Sequence, residues 1–282
     1  MFGPLGFIAY TDDLTAVSER HNVHSHMYAD DTQLYDSTSL ADAESVRDRL
    51  TSCVSEVAKW CASRRLQLND YKTEMIWFGS RSNLAKLQRI NLSLQVGTSN
   101  IQPSSVVRDL GVYMDSELTM KEHVANIAAA CFYHIRRLRQ VRHRVGQEVT
   151  QQLVLALIMS RLDYCNSVLA GLPTSTLQPL QLVQNSAARL VFGLSRSEHV
   201  TPTPIHLHWL PVSYGIRFKL CCLVHAIHYG RSPEYLTETV QSIGASRSRS
   251  GLRSSSTSSM DSLPRLRTKF GERAFSHVGP AT

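Results

Sequence analysis

The stretch Met27-Tyr28-Ala29-Asp30-Asp31-Thr32-Gln33-Leu34-Tyr35 constrains this chain more than any other, because it sets two adjacent carboxylates between two short runs suited to β-strands. Val23 to Tyr28 alternates in character and Thr32 to Tyr35 is rich in Thr and Tyr, so the aspartates fall where a hairpin turns. Two carboxylates side by side at a tight turn repel each other unless a positive charge lies between them, and a divalent cation supplies one. If the first strand alternates up to the turn, Tyr28 and Asp30 share the open face while Met27 and Ala29 face the core. Asp30 is then better placed than Asp31 for direct ligation, with Asp31 ligating less directly or only shaping the field. A near copy, Tyr10-Thr11-Asp12-Asp13, has Phe7, Ile8 and Leu14 around it instead of strand-like flanks, and reads as a solvated pair at a helix end.

Helices and short strands are expected to surround this hairpin, an α+β pattern. Ser39 and Asp42 resemble a capping box, and Val46, Leu50, Cys53, Val54, Val57 and Cys61 follow at helical spacing, so one amphipathic helix over about 40–65 should pack on the sheet that carries the hairpin. Residues 72–79, with Met75-Ile76-Trp77-Phe78, read as a strand, and 92–96 and 101–107 read as two more around Gly97-Thr98-Ser99-Asn100. Gly111 either makes a turn or lets backbone approach a nucleic-acid strand closely. From Met120 the pattern is helical. Leu153, Leu157 and Ile158, then Leu180, Val183, Ala187 and Leu190, then Phe218, Cys221, Cys222 and His225 mark further helices, with Pro173, Pro179, Pro202, Pro204, Pro211 and Pro233 punctuating them. Arg161-Leu162-Asp163-Tyr164 reads as packing with an internal ion pair.

Charge is concentrated in two places. The net charge is +7, and the segment 241–282 holds seven Lys or Arg against two acids, much of it in a Ser- and Arg-rich run over 241–264 that reads as flexible. Between Glu122 and Glu148, five arginines, Arg136, Arg137, Arg139, Arg142 and Arg144, meet no acid. Ile135, Leu138, Val141 and Val145 fall on the opposite side of the helical wheel, so an apolar face and a basic face are expected on one helix. Such a face suits a polyanion, with a solvated surface as the alternative. Six cysteines without C-x-x-C spacing indicate reduced thiols, and His24-Ser25-His26 and His206-Leu207-His208 lack a third metal ligand in view. No apolar run is long enough to span a bilayer and the N-terminus lacks a signal-peptide pattern, so an intracellular location, nucleus or cytoplasm, is expected.

Tyr28-Ala29-Asp30-Asp31 in this setting resembles the active-site hairpin of reverse transcriptases. Gly3-Pro4-Leu5, Leu68-Asn69 with Lys72-Thr73-Glu74, Leu110-Gly111-Val112, Ser160-Arg161-Leu162-Asp163-Tyr164-Cys165-Asn166 and His208-Trp209-Leu210-Pro211-Val212 are similar, in order, to pieces of the polymerase of non-LTR (LINE-type) retrotransposons. The resemblance implies part of a palm over 1–115, a helical thumb-like region over 116–240 and a tail over 241–282. It implies Mg²⁺ or Mn²⁺ held by Asp30 and Asp31, Lys72 near the departing pyrophosphate, and substrate contacts at Tyr28, Ala29 and Gly111. A solvated loop lysine is the other reading of Lys72, and Asp70-Tyr71 departs from the small or Pro residues the family often has before it. RNA template, DNA primer and dNTP are the implied partners, and the five arginines would follow nucleic-acid phosphates. The resemblance begins in mid-motif and stops early, so the chain is expected to be truncated at both ends. It would then be inactive alone for want of a further catalytic aspartate, or survive as a non-catalytic nucleic-acid-binding remnant.

Overall fold

The computed structural model describes residues 3–97, 99–195, 198–199, 202–240 and 271–282, in two units, Met1–Leu118 and Thr119–Thr282. Helices are mixed with small antiparallel strand pairs. The Ser- and Arg-rich segment 241–264 lies outside the described residues.

The first unit runs α1 (Gly3–Thr11), α2 (Thr15–Arg20), β1 (His24–Tyr28), β2 (Asp31–Tyr35), α3 (Ala43–Ser63), α4 (Arg81–Leu87), β3 (Leu94–Val96), β4 (Ser99–Ile101), β5 (Val106–Asp109) and β6 (Val112–Asp115). Its strands form three separate hairpins, where the sequence led us to expect a sheet under the long helix. Residues 72–79 are not a laddered strand. Asp70–Lys72 forms a 3₁₀ turn, and beyond it Ile76 makes a single parallel bridge to Ser104 while the Met75 carbonyl accepts from Ser104 N at 2.7 Å. The expected strand over 101–107 is likewise split, because Pro103 has no N–H to donate and β5 starts only at Val106.

Helix α3 serves both sides of this unit. Cys53 and Val57 join Leu14, Val17 and Val23 in one apolar cluster, against which Met27 and Leu34 of the β1–β2 hairpin pack. Val54, one residue and about 100° further round the helix, joins Met75, Leu94 and Val96 in a second cluster. Full burial of each such side chain contributes about 1.5–3 kcal/mol, which is what holds a helix that would be marginal alone. Asp42 occupies the N-cap position, and Ser39 Oγ donates to its Oδ2 at 2.7 Å, so the serine braces the residue before the helix and does not cap the helix itself. Just beyond β2, Asp36 is ion-paired with Arg49 of α3 and accepts from Ser37 N at 2.7 Å.

The second unit is helical. α5 (Lys121–Val154) turns at Gly146, whose φ of 75° leaves helical geometry, and runs into a π-helical turn, Leu155–Met159, and then α6 (Ser160–Asp163). α7 (Thr174–Phe192), α8 (Pro202–His206), α9 (Val212–His228), α10 (Glu234–Thr239) and α11 (Phe275–Val278) follow. Leu180, Val183, Ala187 and Leu190 of α7 are buried at the expected spacing. Pro179 stands inside α7 and does not end it, whereas Pro173, Pro211 and Pro233 precede the first turns of α7, α9 and α10. In α9 the buried residues are Ile216, Leu220 and Ile227, while Phe218, Cys221, Cys222 and His225 are exposed. This segment is apolar nearly all round, so its periodicity offers two faces, and packing selects the one with the branched aliphatics. Gln184 Nε2 donates to the Leu210 carbonyl at 2.8 Å, and Gln181 Oε1 accepts from Val212 N at 3.0 Å, so α7 satisfies backbone groups at the start of α9. Asp163 pairs across to Lys219 of α9 at 2.9 Å, which replaces the ion pair expected within its own segment.

Two outcomes follow. Burial alone would raise the pKa of Asp36, but the Arg49 hydrogen bond, the Ser37 N–H and the charges of Arg49 and His24 outweigh it and hold the carboxyl below its ordinary value. A depressed native pKa stabilises above the unfolded value and loses that contribution as pH falls through the native one. Asp36→Asn should therefore destabilise the first unit by about 1–2 kcal/mol at pH 7, with the gap from wild type closing below about pH 4, as read by urea titration of Trp60 and Trp77 fluorescence. Burial also pushes the Cys131 thiol up to about 11, whereas Cys221 and Cys222 are exposed. A thiol-disulfide reagent at pH 8 should modify Cys221 and Cys222 rapidly, lose that fast phase in the Cys221→Ser/Cys222→Ser variant, and reach Cys131 only in denaturant.

Candidate functional site

The β1–β2 hairpin closes with Tyr28 opposite Asp31, leaving Ala29 and Asp30 as a two-residue loop. Ala29 has φ 55° while Asp30 does not have positive φ, so the positive dihedral falls on the first loop residue. An alanine there carries strain that glycine would not. The strand period consequently stops at Tyr28. Met27 is half-buried against the core as expected, but Ala29 is exposed and not core-facing. The open face carries His24, His26 and Tyr28 from β1 with Gln33, Asp31 and Tyr35 opposite them on β2. Tyr28 thus shares its face with Asp31, and Asp30 sits in the loop. The rings of His24 and Tyr35 stack across the pair, 5.4 Å between centroids.

Gln33 Nε2 donates to both carboxylate oxygens of Asp109, at 2.7 and 2.8 Å. This ties the acidic hairpin to the β5–β6 hairpin, whose two loop residues, Leu110 (φ 43°) and Gly111 (φ 85°), both take the left-handed conformation of a type I′ turn. Gly111 therefore makes a turn, and that turn follows directly on a residue bonded to the acidic hairpin. Nothing in the local pattern around Gln33 marks it, because its role depends on the tertiary pairing with Asp109. Lys72 ends the exposed 3₁₀ turn Asp70–Lys72, and among the described residues no hydrogen bond or ion pair joins it to Asp30 or Asp31. In the near copy, Asp13 is ion-paired with Arg64, and Tyr10 Oη donates to the Arg64 carbonyl at 2.8 Å, so this pair helps hold the C-terminal end of α3.

Among the described residues no group of three or more His, Cys, Asp or Glu is placed to hold a metal ion. Asp30 and Asp31 are exposed and bring two carboxylates without a third. A pair of divalent ions needs bridging charge from more than one element, so the residues present do not fit a two-ion centre.

In the second unit the five arginines separate. Arg136, Arg139 and Arg142 line a cleft between α5 and α7, together with Arg189 of α7. Arg137 instead donates to Tyr133 Oη at 2.8 Å and lies over its ring, and Arg144 is exposed away from the cleft lining. The apolar face also differs from expectation: Ile135 and Leu138 are buried, but Val141 is 39% exposed and Val145 half-buried. Cys131, Ile135, Leu138 and Arg142 run in steps of four, three and four, so Arg142 continues the inward stripe. Its guanidinium donates to the Val191 carbonyl at 3.3 Å, at the end of α7. Arg189 escaped the sequence reading because it lies on another helix, although a lone charge within Ala187-Ala188-Arg189-Leu190-Val191-Phe192 was a signal.

No helix among the described residues is long and apolar enough to cross a membrane. No family model, curated protein or solved structure matches the chain.

Proposed function

We propose that this chain is part of an RNA-directed DNA polymerase of the non-LTR retrotransposon type, and that by itself it binds nucleic acid without extending a primer. Supporting the family reading are the Tyr28-Ala29-Asp30-Asp31 hairpin packed on a long helix, as in a palm, and the arginine-bearing helical unit, as in a thumb. The observation that carries the binding half is the gathering of Arg136, Arg139, Arg142 and Arg189 on one cleft whose lining residues include no acid. Guanidinium forks match phosphate oxygens in pairs, and phosphate contacts give affinity without sequence preference. The second half rests on the two carboxylates of the hairpin standing without a third metal-ligating side chain among the described residues, which favours a non-catalytic, nucleic-acid-binding role over nucleotidyl transfer.

The test is to titrate the full chain with a labelled primer–template at rising salt and, in parallel, to assay Mg²⁺-dependent dNTP incorporation. Affinity should fall steeply, with a log–log slope of about 0.9 per phosphate neutralised, and the slope should shrink when the exposed cleft residues Arg136 and Arg139 are changed to Gln. Incorporation should be absent. Failure to bind at low salt would remove the binding reading, and incorporation abolished by Asp30→Ala would restore the catalytic one.

A further inference from the structure

We propose that the cleft between α5 and α7 is a discrete site for phosphate groups carried by a nucleotide, either the phosphorylated end of a nucleic-acid strand or a free nucleoside polyphosphate. This deepens the nucleic-acid reading above and rests on it for the first of those sources.

Four guanidiniums from two packed helices line the cleft, with His143 beside them and no acid among the described residues of the lining. Like charges held together in this way favour an anion between them. Two of the four are set in place by the fold. Arg142 donates to the Val191 carbonyl and Arg189 to the Glu198 carbonyl, at 3.3 and 3.4 Å, and the Nε of each is buried without a hydrogen-bond partner. A buried N–H without an acceptor is unfavourable until something supplies one. Arg136 and Arg139 are exposed, and among the described residues they make no hydrogen bond or ion pair, so their forks are open to a ligand. Glu198, on the chain beyond α7, already has its carboxylate engaged by Ser195 N.

Size and shape narrow the ligand. The cleft is open to solvent along one side and has a volume of about 760 Å³, within the usual span for small-molecule sites and far more than one inorganic phosphate fills. Phe132, Ile135, Leu190 and Leu194 give it an apolar wall suited to a base or sugar. Gly193 keeps the cationic end in place: its φ is 72°, and a Cβ there would stand 2.7 Å from Arg142 Cζ. Arg137 and Arg144 lie off the cleft, so its cationic lining is gathered where a compact group of phosphates, such as a strand end or a polyphosphate carries, meets several guanidiniums at once.

The full chain should be titrated with a short single-stranded RNA bearing a 5′-triphosphate, with its 5′-hydroxyl twin, and with ATP as competitor. The proposal expects the triphosphate end to bind about tenfold or more tightly than the hydroxyl end. That preference should vanish in Arg136→Gln/Arg139→Gln and persist in the charge-matched Arg217→Gln/Arg231→Gln, and Arg139→Lys, which keeps charge but loses the fork, should retain only part of it. Competition by ATP as strong as by the triphosphate RNA identifies a free nucleotide as the source, and much weaker competition identifies a strand end; both support the site. Equal losses in the cleft and control variants, or neither end preference nor ATP competition, would overturn it. Salt-sensitive primer–template binding without end preference would remove this inference and leave the proposed function. A cleft-dependent ATP site without duplex binding would do the reverse.

Discussion

The apolar stripe of α5 laid on α7 determines where the second unit's charges point. Val124, Ala128, Cys131, Ile135 and Leu138 are buried on α5, and Val183, Ala187, Leu190 and Val191 on α7. A helix has one rotational freedom about its axis, and burying that stripe removes it. Each arginine is then aimed by its offset from the stripe, not by its own preferences. Arg136 and Arg139 fall beside it and face the cleft, Arg142 falls on it, and Arg137 falls outside it. Close packing of the stripe fixes the direction in which each side chain leaves the helix, while the exposed ends of Arg136 and Arg139 keep their rotamer freedom.

In the first unit the corresponding constraint is α3, whose adjacent residues Cys53 and Val54 belong to different clusters. A helix buried on two sides can carry two independent hairpins without a continuous sheet between them, and this is what the three strand pairs show. The Gln33–Asp109 hydrogen bonds then do locally what a sheet ladder would otherwise do, tying the acidic hairpin to the β5–β6 turn.

The features legible in the sequence were those set by local pattern. The two strands flanking Asp30 and Asp31, the long helix behind them, and the inward face of α7 all follow from periodicity over a few turns. What was not legible depended on a choice between equivalent patterns or on a distant partner. The α9 segment offers two apolar faces, and only Ile216, Leu220 and Ile227 are buried. The alternation of β1 predicts the wrong companion for Tyr28, because positive φ at Ala29 interrupts the period at the turn. Val141 appeared to continue an apolar face, yet the real stripe passes through Arg142, since the neighbouring contact is a carbonyl at a helix end and not another hydrocarbon.

That last exchange has a physical consequence for the cleft. The last carbonyls of an α-helix carry partial negative charge, so the end of α7 attracts a cation. Arg142 bonds the Val191 carbonyl there, where an aliphatic side chain would leave that acceptor unsatisfied. The same end of α7 presents Arg189, and the chain beyond it turns at Gly193. Helix-end capping and cleft charge are therefore one feature: the guanidiniums that satisfy carbonyls of this region also supply the positive lining, each with an Nε left unpartnered. The carbonyls carry only partial charge, and among the described residues of the lining there is no acid, the carboxylate of the adjacent Glu198 being engaged by Ser195 N, so the capping bonds neutralise the guanidiniums incompletely. A guanidinium bonded to a carbonyl keeps its full charge, so the residues that hold the end of α7 are also residues that make the cleft lining basic.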